Sequence, residues 1–162
     1  MSSSRSSSRR QARHYVLQSL FAADLAAGVP ETTQEDLWST LIDGEGVDGV
    51  PEPASTEVEF AQRLLTGVAS HREAIDALIE SCSTNWRIKR MSIVDRNILR
   101  LAGFELMHCA DIPASVSINE AVELAKAFGT AESRAFINGI VDRMGRQLER
   151  LPASKKEGPI TG

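Results

Sequence analysis

The chain has 162 residues, 42% of them apolar and only 5% aromatic, with a formal net charge of −4. That length supports one domain, or two small bundles sharing an interface, around a Leu, Ile, Val and Ala core that needs no staples. It excludes a helical membrane protein, since no apolar run approaches the roughly 18 residues of a span, and a polycation, so nucleic-acid binding would have to be local.

The charge is uneven. Residues 1–14 carry four Arg and no acid, whereas residues 15–59 carry ten acids and no Lys or Arg. Residues 2–8 are six Ser and one Arg, with nothing to bury, so 1–8 is expected to be disordered. A helix follows from about Arg9 to Ala27. Its stripe is Val16, Leu17, Leu20, Phe21 and Leu25, and Gly28 and Pro30 stop it. A second helix is expected over Thr33–Ile42, then an acidic Gly/Pro loop over 43–56.

Helix resumes near Glu57, with Val58, Ala61, Leu64, Leu65 and Val68 at helical period, and Ile75, Leu78 and Ile79 continue it after His71 as a separate helix. Ser83 to Arg90 is a connection whose Trp86 is expected to plug the groove between bundles. Met91 to Cys109 is the central helix. Ser92 and Asp95 form a capping-box-like start. Apolar residues surround its axis except along Arg96, Asn97 and Arg100, so other helices should cover it. Glu105 sits on the apolar face and must find an Arg or backbone N–H partner.

Pro113 makes 111–116 extended. Ser117 and Glu120 make a second capping box, and Gly129 ends that helix. Thr130 caps the last one, in which Ile137, Val141, Met144 and Leu148 recur at i, i+4, i+7 and i+11. Residues 151–162 form a disordered tail. The fold class is therefore all-α, about seven helices in two packed bundles, 9–84 and 91–150.

No metal-binding, nucleophile-elbow or phosphate-loop motif is present, so an enzyme, a metal and a cofactor are not expected. Cys82 and Cys109 lack metal spacing and read as free thiols of a reducing, cytoplasmic compartment. The strongest functional signal is SSSRRQARH. Arg9, Arg10 and Arg13 at i, i+1 and i+4 can track successive phosphates, each guanidinium binding bidentately; the alternative is a solvated basic tail. Phe136, near Glu132 and Ser133 at the start of the last helix, can stack on an unpaired base; the alternative is a core Phe. Three phosphate contacts on a single strand would give a slope of log K against log salt of about −2.

RRQAR followed by LQSLF, then VDRNILRLAGFEL, then SINEAVELAKAFGTAESRAFINGIVDR, together resemble the NusB family of transcription antitermination factors, over residues 9–148 and weakly over 29–56. The resemblance implies two helical bundles set across each other. It implies binding to single-stranded boxA RNA of ribosomal RNA leaders as a heterodimer with NusE, a small-subunit ribosomal protein, within the RNA polymerase antitermination complex. Homodimerisation of the free protein through its RNA face stays open. The resemblance assigns RNA contact to Arg9, Arg10, Arg13, Glu132, Ser133 and Phe136, and partner contact to Phe21 and Asp95. Gln11 stands where the family has an arginine, and Phe21 where relatives often have Tyr. Asn119, Glu120, Asn138 and Gly139 are expected to be structural, through caps and close helix contact. Two other readings stand beside this one: an accessory domain of a ribosomal-RNA methyltransferase, whose βαβ segment this chain lacks, and a purely protein-binding helical module.

Overall fold

The computed structural model describes residues 2–25, 55–84 and 86–152. They form α1 (Ser2–Leu25), α2 (Ser55–Ser70), α3 (Arg72–Cys82), a 3-10 turn (Ile88–Arg90), α4 (Ile93–His108), α5 (Ala114–Phe128) and α6 (Ser133–Gln147). The fold is all-α, as expected. The helix expected at 33–42 lies outside the described residues, as does most of the acidic loop. Among the described residues no helix is long and apolar enough to cross a membrane.

The central helix α4 starts where its capping signal says, with the Asp95 N–H donating to Ser92 Oγ at 3.1 Å. Every residue from Asn97 to Leu106 is buried, and α4 touches each of the other five helices. One apolar core therefore runs through both bundles, from Ala12 and Val16 of α1 to Val141 and Met144 of α6. The polar stripe of α4 is not solvated. Arg96 grips Asp24 of α1 with two bonds of 2.6 Å. Arg100 reaches Asp24 at 3.2 Å and Asp76 of α3 at 2.9 Å. These pairs run α1 antiparallel to α4. Close packing of α2 on α4 depends on Gly67, where a Cβ would run into the Phe104 ring.

Several expectations need correction. Helix α1 begins at Ser2, because extending a helix already nucleated on the core fixes one residue per added bond. Helix α5 begins at Ala114, with Pro113 at its N-cap; proline has no N–H to orphan, and its φ of −57° suits a helix start. Ser117 and Glu120 therefore lie inside the helix and serve other partners. Trp86 does not plug a groove: it is 50% exposed. Gly139 has open space where a Cβ would be, so close helix contact does not account for it. The end of α6 also carries order past the expected tail boundary. Glu149 takes a left-handed φ of 58°, Arg150 N–H reaches Gly145 O and Glu149 N–H reaches Arg146 O, and Leu151 folds back onto the core. This is a Schellman closure without its usual glycine.

Candidate nucleic-acid interface

The three arginines of the first helix meet three different environments. Arg13 is 2% exposed and donates to both carboxylate oxygens of Glu105, at 2.9 and 2.7 Å. Ser117 Oγ completes the carboxylate at 2.9 Å. Burial works against the Arg13 charge, but the Glu105 hydrogen bonds overcome it and keep the guanidinium protonated. This answers the question posed by Glu105, and it corrects the expected role of Arg13: its guanidinium is not available to phosphate. Sequence spacing placed Arg13 on the face of Arg9, but the same face turns toward α4 within one helical turn.

Arg10 remains at the surface. Its side chain is 47% exposed, while its partner Glu120 is 6% exposed. Nε and Nη2 are held at 3.1 and 3.0 Å, and the Glu120 hydrogen bonds raise the guanidinium pKa further. Arg9 lies with its guanidinium carbon 4.5 Å from the Phe60 ring centre, and Arg13 approaches the same ring at 5.2 Å. Nearby, Arg63 of α2 pairs with Asp111 at 3.1 and 2.6 Å, which holds that carboxyl down at about 2. His14 meets Phe128 edge-on at 5.1 Å. Partial burial, and then the Arg10 charge, lower the His14 pKa, so it is neutral at pH 7.

This end of the molecule thus presents Arg9 and Arg10 as partly exposed cations, one resting on an aromatic ring and one oriented by a buried carboxylate. Pre-set guanidiniums of this kind suit phosphate oxygens. Arg63, His14 and Phe128 complete the surface, and Phe60 lies buried beneath it. Phe60 was legible in principle, since Phe60, Leu64 and Gly67 fall at i, i+4 and i+7. Arg63 carried no signal.

The other expected residues lie elsewhere. Glu132 is exposed at the N-cap of α6 and makes no capping bond. Ser133 is 2% exposed and accepts the Thr130 N–H at 3.0 Å, so its hydroxyl is structural. Phe136 is half-buried and meets Trp86 edge-on at 6.5 Å. Phe21 and Asp95 are half-buried at the opposite end of the α1–α4 pair, where Asp24 joins Arg96. From Arg9 to Asp24 is roughly 22 Å along the helix, so Phe21 and Asp95 form a surface separate from the arginines.

The sequence profile of the NusB family matches residues 10–146. The chain is 46% identical over 142 residues to the transcription antitermination protein NusB of Myxococcus xanthus, covering 88% of this chain and 97% of that one. It is 48% identical over 148 residues to the NusB of Trichlorobacter lovleyi, covering 91% and 94%. The solved structure of T. maritima NusB superposes with a TM-score of 0.74 at 33% identity, covering 88% of this chain and 97% of that one. The fold is also that of NusB in a complex of the antitermination factors NusB and NusE with double-stranded RNA, at a TM-score of 0.72, 24% identity and coverages of 86% and 97%. A match along most of the sequence, backed by the same helical architecture, makes this chain a member of the NusB family of transcription antitermination proteins.

Proposed function

We propose that this chain acts by binding and not by catalysis: in the bacterial cytoplasm it binds single-stranded boxA RNA of ribosomal RNA leaders together with NusE, and so helps RNA polymerase read through terminators. The observation that carries the reading is the pair Arg9 and Arg10, held half-open at the amino-terminal end of α1 by Phe60 and the buried Glu120. Two oriented guanidiniums can take successive phosphates, and base identity is then read by neighbouring stacking and edge contacts. Arg13 supports this surface from beneath. Phe21 and Asp95, at the far end of α1 and α4, are the proposed NusE-facing positions. Separation of the two surfaces lets RNA and protein bind at once. The accessory-domain reading is less well supported, because the curated relatives covered nearly end to end are antitermination proteins.

The test is fluorescence anisotropy of a labelled boxA-type RNA and a scrambled control, with and without NusE. Selective binding that NusE tightens, and that Arg9→Ala/Arg10→Ala weakens about tenfold or more, is the expected result. Equal weak binding to both RNAs, indifferent to NusE, would overturn the reading. RNA binding lost with the arginines while NusE binding persists would reject a purely protein-binding module.

A further inference from the structure

The connection between α3 and α4 has a division of labour that the arginine surface does not use. Ile88 and Met91 are buried, at 7% and 6% exposure, and pin the segment to the core. Trp86, Arg87, Lys89 and Arg90 point outward. Each outward residue of 86–90 is thus a tryptophan or a cation. None of the three cations is in an ion pair among the described residues, whereas Arg96 and Arg100 beside them are fully engaged with Asp24 and Asp76.

The tryptophan is also held in place. Ser83 Oγ donates to the Trp86 carbonyl at 2.9 Å, and Arg143 of α6 donates to the Cys82 carbonyl at 3.0 Å. Phe136 supports the indole edge-on, with the rings at 83°, yet half of Trp86 stays open to solvent. Beside it, Arg87 and Lys89 join Arg72 on the wall of a cleft of about 420 Å³. Of the acids in that cleft, Asp24 is held by Arg96 and Arg100, and Asp76 by Arg100 and, at 4.0 Å, by Arg72, which leaves Glu80 facing the two unpaired cations Arg87 and Lys89.

We infer that Trp86 is a second stacking surface for single-stranded RNA, with Arg87 and Lys89 neutralising the flanking phosphates. An exposed, pre-oriented π face next to unpaired cations matches the two chemical parts of a nucleotide. It also gives Phe136 a reason for its position: it backs the indole. The inference rests on the RNA-binding reading above but concerns residues that reading does not need.

The chain has two tryptophans, Trp38 and Trp86, so Trp38→Phe leaves Trp86 as the sole indole. Titrating that full-length variant with the boxA-type RNA, while following anisotropy of the labelled RNA in parallel, reads both questions at once. The expected result is quenching of Trp86 emission that saturates with binding. In the same assay Trp86→Leu should lose at least about fivefold in affinity and Trp86→Tyr should recover most of it, because stacking needs an aromatic face and not merely an apolar one. Circular dichroism of each variant confirms that it is folded. Arg87→Ala/Lys89→Ala should weaken binding and flatten its salt dependence. RNA binding with Trp86 emission unchanged and Trp86→Leu neutral would overturn this inference alone. Loss of NusE affinity with RNA affinity intact would assign the patch to a protein partner and overturn it too. Failure of the parent protein to bind any RNA would overturn both readings.

Discussion

Asp24 shows how much one side chain can carry. Burial would raise its pKa, but hydrogen bonds from Arg96 and Asn97 and the charges of Arg96 and Arg100 bring it to about 2. A folded-state pKa below the ordinary 3.8 means the carboxylate stabilises the fold fully above that value. The contribution fades as pH falls toward about 2. It amounts to about 2 kcal/mol at neutral pH. Asp24→Asn should therefore lower stability at pH 7 by that order and flatten the decline in stability between pH 4 and pH 2, as read by urea unfolding at each pH. Arg13 makes a different prediction. Arg13→Ala strands Glu105 in the core and should cost about 3–5 kcal/mol. Arg13→Met/Glu105→Leu removes both charges and should recover most of that loss while leaving RNA affinity within about twofold, measured by thermal unfolding and anisotropy together. Glu105 was legible as a buried acid in need of a partner. Which arginine would answer it was not, because the pairing spans 92 positions of sequence and spacing carries no information across that gap.

Among the elements, the periodic signals were the reliable ones. The cap of α4, the break at His71 and the core face of α6 follow from local chemistry that a single stretch contains. The start of α5 was misread because S-I-N-E also fits a capping box; what decides is the proline four residues earlier, and the need of Glu105 for the Ser117 hydroxyl. The close of α6 offers a direct check. Glu149 holds a left-handed φ that costs a residue with a Cβ roughly 1 kcal/mol. Glu149→Gly should raise stability by about 0.5–1 kcal/mol, seen as a higher melting temperature. Gly67→Ala should do the reverse by about 1–3 kcal/mol, since the added methyl must displace the Phe104 ring.

At the scale of the whole molecule, the arginine surface holds two available guanidiniums and not three. The salt dependence of RNA binding by that surface alone should then be shallow, with a slope of log K against log salt of about −1.4, steepening when NusE adds its own contacts. Glu132 stands exposed at the N-cap of α6, where its charge opposes phosphate, so Glu132→Gln should tighten RNA binding in the same titration. The candidate site was only partly legible for a simple reason. Sequence identifies which residues carry charge, but exposure decides which charges are free, and exposure is set by packing between distant helices.

The position of α4 in the chain has a consequence in time. Helix α1 is made before both helices that cover it: α2 ends at Ser70, and α4, which carries the Glu105 partner of Arg13, ends only at His108. At about 5–20 residues per second, the 83 residues between Leu25 and His108 take roughly 4–17 s to synthesise. Within that interval α1 can dock on α2, complete at Ser70, but Arg13 has no carboxylate to meet in the core. Helix α1 is thus only half secured until α4 follows, and a ribosome stalled before residue 93 would display its α4-facing side, Arg13 unpaired, to whatever chaperone is near.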